Sequence, residues 1–501
     1  MSSETLLEIY SGFHRWFRLL VPEPKDRIPI TPIFALYWPL FHLPFFFLAF
    51  LARRPDTFLM RLLLLPTVLT CSVAVAYRYT WTIPWLNVYN WGQSLAAAVE
   101  ISKALEYALT PEGMLKHDEI EPGRPAKPSN NGHPNGHVNG NGNDHAPTRA
   151  KVEASESRWP AWLTDTLSLA HTLRGLSYKF SSGLHIPSQT RPLVPRSAFL
   201  KSTLYSFLKN FLLLDFLESL LKLFPGVGNV TGGSMFYTSF PLFQRYLIST
   251  FIHILTGSAL LAGFGMVYDL CTFIAVAFFS SDPANWPPVL DDPWQSSSMH
   301  ELWSKRWHQL LRRTFLVFGG IPSYHLTQAL TSFMPSKAIR KHLPQLVAVF
   351  GTFLASGLFH EVAIYTMFSP TNGYTFSLAP IIFFLAQAPA LVLERLVSSL
   401  SPMVTSLLTG KRRKIRVGGK LGQAWVWFWM FGPFAQMMVN SWHERGLGGG
   451  MVIPPWLSPA RWILPRVLPQ LAGFVGTLTG MIGHGGVAHE AESVGKWVGE
   501  F

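Results

Sequence analysis

Residues 32–51 and 60–77 each form an apolar run close to the roughly 20 residues a helix needs to cross a bilayer. Further runs occupy 199–224, 246–279, 342–368, 374–397, 421–440 and, more weakly, 83–108 and 462–482. In lipid the backbone must satisfy its own polar groups, so such runs close into helices. The pattern implies an all-α polytopic membrane protein with about eight to ten transmembrane helices. The run 246–279 is too long for one span. Gly257, Gly263 and Gly265 mark bends in it, giving one kinked span or two short ones. The run 83–108 reads either as a third span or as a helix along the surface.

Soluble alternatives fail on composition. Of the 501 residues, 49% are hydrophobic and 14% charged, against about 25% charged in an average soluble domain. A single globular core stops growing near about 250–300 residues. An ordinary cytosolic enzyme, a disordered chain and a coiled coil are therefore excluded. The net charge of +13 raises nucleic acid as a partner. The basic residues, however, sit beside apolar runs, as in Arg53-Arg54 and Lys411-Arg412-Arg413-Lys414. That pattern belongs to cytoplasmic loops facing anionic lipid, so no nucleic acid is expected. Cys71 and Cys271 lie inside apolar runs and offer neither a disulfide framework nor a thiolate metal site, and no metal is expected. Glu4 and Glu8 stand where a signal peptide would carry basic residues, so the first apolar run is expected to be an uncleaved anchor.

The chain divides at its changes of composition. Residues 1–32 interleave Leu6, Ile9, Phe13, Trp16 and Leu20 with Glu8, His14, Arg15 and Arg18, which suits an interfacial leader helix. Residues 33–109 hold the N-terminal transmembrane helices. Residues 110–157 form an Asn/Gly-rich loop that is expected to be disordered. His133 and His137 lie within it and read as linker rather than as a metal pair. Residues 158–501 carry the remaining helices. No internal repeat relates the two halves, which weighs against a secondary transporter.

Polar residues inside apolar spans are costly and therefore informative. His360 and Glu361 interrupt the run 350–362. Thr352, Ser356 and His360 recur every four residues and share one helix face. Glu361 points about 100° away and reads as a structural partner for another helix. Gly351 and Gly357 permit close approach by a helix or a ligand. A neutral imidazole at 360 is able to take a proton from an alcohol, or to serve only as a packing hydrogen bond; the residues alone leave both open.

Ser298 followed by Glu301 is a capping box, predicting a helix from 299 onward. On it Trp303, Trp307, Leu310 and Leu311 form a buried stripe beside a polar one of Ser304, His308 and Arg312. Lys305, Arg306, Arg312 and Arg313 suit a phosphate-bearing donor such as coenzyme A, or anchor an interfacial helix together with the tryptophans. Asp269 reads as the ion-pair partner of a Lys or Arg from another span, and His443 as an interfacial residue at a span end. The motifs of serine hydrolases, P-loop nucleotidases, dinucleotide-binding folds and zinc proteases are absent from the sequence.

Three blocks carry a resemblance. They are Trp286-Pro287-Pro288 with Pro293-Trp294, then Glu301-Leu302-Trp303-Ser304-Lys305-Arg306-Trp307-His308, then Phe353-Leu354-Ala355-Ser356-Gly357-Leu358-Phe359-His360-Glu361. In order and spacing they resemble the wax-synthase-like branch of the membrane-bound O-acyltransferase superfamily. The resemblance is dense over 265–370, and the multi-span layout extends it over most of the chain. It implies an acyltransferase core in 158–501, with its motifs at 286–313 and 351–361, around a buried tunnel. It also implies transfer from acyl-CoA to a hydroxyl. The family's invariant histidine falls on His360, and its second polar position on His308, where many plant members carry Asn. The Asn/Gly-rich insertion resembles fungal members that acetylate terpenoid and meroterpenoid alcohols. That implies acetyl-CoA as cosubstrate, no bound cofactor, a hydrophobic alcohol acceptor and residence in the endoplasmic reticulum membrane. In this reading His360 is the general base and His308 the oxyanion donor. Trp303, Lys305, Arg306, Trp307 and Arg312 line the donor, while Ser356 and Thr352 share the face of His360. Long-chain wax, sterol or diacylglycerol ester synthesis is the alternative within the class. A proton-coupled transporter using His360 and Asp269, or a non-catalytic scaffold, is the alternative outside it.

Overall fold

Eleven helices account for most of the regular structure that the computed structural model describes, which covers residues 11–12, 14–15, 17–125, 159–367, 376–409, 418–464 and 466. They are α1 (Leu43–Ala52), α2 (Phe58–Tyr77), α3 (Asn87–Leu109), α4 (Ala161–His171), α5 (Arg196–Leu221), α6 (Leu242–Phe279), α7 (Ile321–Thr331), α8 (Lys337–Thr366), α9 (Ala379–Thr409), α10 (Gly419–Phe431) and α11 (Pro433–His443). Strand pairing among the described residues is confined to two short ladders, Ile28–Pro29 beside Tyr79–Thr80 and Glu119–Glu121 beside Arg124–Pro125. The tract from 126 to 158 with His133 and His137, the basic run 411–416 and most of 462–482 lie outside the described residues.

The chain is an all-α polytopic membrane protein. Helices α2, α6, α8 and the Ala379–Met403 part of α9 are long and apolar enough to cross a bilayer. Their outward faces carry rows such as Leu59 and Leu63 on α2, or Phe243, Leu247 and Phe251 on α6, which are exposed in the chain by itself and meet acyl chains in a membrane. Proline sits inside α2, α8 and α9 (Pro66, Pro344, Pro389 and Pro402), a placement that spans tolerate because neighbouring groups re-satisfy the freed carbonyls.

Of the two arrangements expected for 246–279, a single helix holds: α6 runs unbroken for 38 residues, about 57 Å long at 1.5 Å per residue. Gly265 serves packing. A Cβ at Gly265 would lie 2.5 Å from Asn210 Nδ2 of α5, and that amide donates to Asp269 Oδ2 at 3.3 Å. Arg191, ahead of α5, pairs with the other carboxylate oxygen of Asp269. The partner expected for this acid is thus an arginine, supplied by a loop rather than by a span. Helix α3 packs inside the bundle between α2 and α8, with Asn87, Asn90, Ser94 and Glu100 buried along it.

Two large apolar clusters hold the bundle, and a smaller one of Met299, Leu302, Ala390 and Val426 seats the 299–302 segment on α9 and α10. One joins α5, α6, α9 and α11 through Leu214, Ile252, Phe383 and Val439; the other joins α1 to α4 through Leu48, Val68, Ala104 and Leu169. The second is locked by a charge cluster that the sequence assigned to lipid-facing loops. Arg53 is 1% exposed. It donates to both oxygens of Glu119 at 2.6 Å, to Asp165 at 2.7 Å and to the carbonyl of Met114. Lys116 completes the cluster on Asp165 at 2.7 Å. Residues 110–125, expected to be part of the disordered loop, are ordered, because Glu119 is the buried counter-charge of Arg53 and its hairpin is tied to it. Arg54, by contrast, is half-exposed with its guanidinium 4.4 Å from the Phe50 ring centre.

Removing one member of a buried ion network strands its partners. Glu119→Ala is expected to cost about 3–5 kcal/mol, read as a lower thermal midpoint in detergent. Arg54→Ala should leave that midpoint within experimental scatter.

Candidate active site

The helix predicted from residue 299 starts as expected and then breaks. Ser298 Oγ accepts from the Glu301 amide at 3.0 Å. The Glu301 carboxylate, instead of closing the box on Ser298, accepts from the amide and hydroxyl of Ser297 at 2.8 Å each. One α-turn (Met299–Glu301) passes into a π-turn (Leu302–Arg306), and Trp307 is extended at φ −75°, ψ 147°. Gln309 holds this break: its buried Nε2 donates to the carbonyls of Trp303 and Trp307 at 3.0 and 2.9 Å. The two stripes expected on a continuous helix therefore do not form. His308 is instead turned toward Phe264 of α6, with ring centres 5.4 Å apart. Burial pushes the His308 imidazole down to about 4, so it is neutral at neutral pH.

His360 lies on the continuous helix α8, with Thr352 and Ser356 on the same face as expected. Its ring stacks on Phe384 of α9 at 4.9 Å and 5°, and sits 6.0 Å from Trp442 of α11. Trp303 lies against the same Phe384 ring, with ring centres 5.7 Å from Phe353 and 6.0 Å from Phe384. Through Trp303 and Trp307, whose ring centres are 6.0 Å apart, the aromatic chain continues to His308, 5.3 Å from Trp307. The buried Nδ1 atoms of both His360 and His308 have no hydrogen-bond partner among the described residues. Ser356, proposed to hold the tautomer of His360 from one turn below, is buried but does not bond that nitrogen.

The structure brings His308, His360, Trp303 and Trp307 together and sends the other sequence candidates elsewhere. Thr352 donates to the Ala348 carbonyl at 2.7 Å and lies at a helix crossing, where its hydroxyl would be 2.6 Å from a Cβ at Gly320. Gly351 and Gly357 likewise face other backbone, at 319 and 381. Arg306 is spent on Glu301 at 2.6 Å and on the Asp291 carbonyl at 3.0 Å, while Lys305 is exposed. Arg312 and Arg313 line two adjoining hollows that share Leu173, Phe180 and Arg313 and also include Lys103 and Arg174. Arg313 pairs with Glu106 of α3, 2.7 Å from its Nε. Arg312 makes no ion pair among the described residues.

Other site residues escaped the sequence. Gln387 is fully buried and accepts weakly from the Trp303 indole at 3.4 Å. Glu394, two turns on, accepts from the amides of Met299 and His300 at 2.6 and 3.0 Å and from Trp425 Nε1 at 3.0 Å. The signal was available: both are polar residues inside the run 374–397. Glu361 does act as a structural partner, accepting from the Ser377 amide just ahead of α9 at 2.6 Å. His443 is not interfacial. It is fully buried, with Nε2 2.8 Å from Thr256 Oγ1 of α6, and Thr256 already donates to the Ile252 carbonyl, so the imidazole is the donor.

Residues 286–386, which include both site histidines, match the membrane bound O-acyl transferase family. The chain is 25% identical over 256 residues to acetyltransferase eriL of Hericium erinaceus, a stretch covering 49% of this chain and 60% of that one. It is also 25% identical over 209 residues to acetyltransferase atnC of Arthrinium sp, covering 40% of this chain and 41% of that one. The chain thus spans about half the length of these curated relatives. No solved structure matches it.

Each amide left unpaired in a buried site costs about 1–3 kcal/mol. Glu394→Ala strands two amides and an indole N–H. It is expected to lower stability by about 3 kcal/mol and to open residues 285–311 to limited proteolysis. An unchanged cleavage pattern there would show that Glu394 does not hold the segment.

Proposed function

We propose that the chain is a membrane-bound O-acyltransferase that moves an acetyl group from acetyl-CoA to a hydroxyl of an apolar alcohol, a terpenoid or meroterpenoid, in the endoplasmic reticulum membrane. One observation carries this reading: His360, in the segment that matches the family, stands among aromatic rings with its Nδ1 unpartnered, and those rings run on through Trp303 and Trp307 to a second histidine, His308, whose Nδ1 is also unpartnered. The names of the two relatives favour acetyl over longer chains.

In this mechanism the His360 imidazole takes the proton of the acceptor hydroxyl as its oxygen attacks the thioester carbonyl. The carbonyl oxygen becomes an oxyanion, to which the neutral His308 ring donates a hydrogen bond. Collapse of the tetrahedral intermediate breaks the C–S bond. The coenzyme A thiolate leaves and recovers the proton from His360, so no covalent acyl-enzyme is required. Trp303 and Trp307 wall the reacting centre. The phosphates of the donor lie in the hollows at Arg312 and Arg313, which replace Lys305 and Arg306 in that role. The spanning helices α2, α6, α8 and α9, with the helices packed on them, form the surrounding tunnel and its membrane anchor. No resident metal or cofactor takes part.

The test is thiol release from acetyl-CoA by microsomes supplied with terpenoid alcohols. Release should need both alcohol and His360, and His360→Ala should lower it at least about 100-fold at equal expression. A variant retaining more than a few per cent of the rate removes the base assignment. Activity with palmitoyl-CoA alone would make the chain a long-chain ester synthase, and silence with every donor would point to transport. Arg312→Glu should raise the KM for the donor about tenfold or more while leaving that for the alcohol unchanged.

A further inference from the structure

Buried indole N–H groups without an acceptor are uncommon, because each forfeits a hydrogen bond that it made to water in the unfolded chain. Among the described residues Trp91, Trp429 and Trp442 bury such a group. Two of them belong to one place. The rings of Trp91 on α3 and Trp442 on α11 meet edge to face at 6.3 Å, and Trp442 is 6.0 Å from the ring of His360. Helix α3 is fixed on this part of α8 by polar contacts: Thr366 Oγ1 donates to the Asn90 carbonyl at 3.0 Å, and Ser94 Oγ to that of Val362 at 3.4 Å. One indole N–H thus belongs to a ring beside the proposed base, and the second to the ring packed behind it, both on rigid supports.

We propose that Trp442 and Trp91 bind the acceptor alcohol and select one that carries a second oxygen besides the reacting hydroxyl. This deepens the acyltransferase reading above and rests on it. The aromatic walls suit a rigid, largely apolar ring system. The indole N–H is a donor only, so the group it meets is a ketone, ether or hydroxyl oxygen on that ring system, held while the reacting hydroxyl lies at His360. A site built to hydrogen-bond an oxygen rejects the analogue that lacks it, because the buried donor is then left unpaired. Neither tryptophan lies in the segment that matches the family, so this selectivity is a property of the parts of the chain outside it.

The experiment uses the full-length protein in microsomes and matched pairs of fused-ring alcohols, such as 5-androsten-3β-ol and its 17-ketone, over a panel in which the position of the second oxygen varies. Wild type should favour the two-oxygen member of at least one pair about tenfold or more in kcat/KM. Trp442→Phe and Trp91→Phe keep an aromatic ring and remove the N–H. Each should raise the KM of the favoured alcohol about tenfold and erase the preference, with a much smaller change for the mono-oxygenated partner and the KM for acetyl-CoA unchanged. Two independent variants guard against one that fails to fold, and an unchanged donor KM certifies folding. Equal losses for both members of a pair, or a preference that survives both substitutions, would reduce the tryptophans to packing and overturn the proposal. So would a wild type that releases thiol with every alcohol and prefers none. A wild type that releases no thiol with any alcohol overturns the acyltransferase reading and this inference with it.

Discussion

Backbone meets backbone on two sides of α8, and the position of everything around His360 follows from it. Gly351 lies against Gly319, in a π-turn at Leu316–Gly320, so closely that a Cβ on either would strike main-chain atoms. A Cβ on Gly357 would come within 2.7 Å of Ile381 Cα at the start of α9. Association of helices in lipid relies on packing, since lipid tails are as apolar as the side chains they replace. Small residues at these crossings bring α9 near enough for Phe384 to stack on His360 and for Glu361 to reach the Ser377 amide. A larger residue at 357 would push away the wall of the site rather than merely loosen the bundle.

The buried polar groups fall into two kinds, and the contrast separates support from chemistry. Arg53, Asp269 and Glu394 have their charges met by partners from distant parts of the chain. Such groups are expensive unless paired, and in these the pairing is the fold. His308, His360, Trp91 and Trp442 retain buried nitrogens without partners in the described residues. Unsatisfied groups scattered singly would be packing faults. Joined ring to ring along one aromatic chain that passes through His360, they are the arrangement expected where a ligand supplies the missing partners.

The fold class and the place of His360 inside a spanning helix were legible because both depend on local pattern: apolar run length for the spans, and a costly polar residue inside one. What was hidden depends on contacts across long separations. Arg53 beside Arg54 has the appearance of a lipid-facing pair, and nothing near it announces that Glu119 and Asp165 will enclose it. The stripes drawn on 299–313 assumed a continuous helix, as the capping residues suggested. Gln309 overrides that preference by taking the carbonyls of Trp303 and Trp307. His443 follows the last apolar residues of its run, which made it look interfacial, yet α6 runs past it and covers it with Thr256. Gln387 and Glu394 could have been found by the logic that found His360, applied to the neighbouring run.

On the proposed function, the break at Trp307 lets one short segment serve two ends of a donor. On an unbroken helix, 308 and 312 would lie one turn apart on the same face, and both would point toward the same surroundings. With Trp307 extended, His308 turns in toward α6 and His360 while Arg312 and Arg313 remain beside the hollow near α3. The side chain of Gln309 fixes the angle between them, since it is buried and tied to carbonyls on both sides of the break. A thioester whose carbonyl sits at the histidines and whose phosphates sit at the arginines would then be held at both ends by one stretch of backbone. Irregular backbone at membrane depth persists only where protein or a polar cavity satisfies it. In 302–309 the side chain of Gln309 satisfies two carbonyls at the break, those of Trp303 and Trp307.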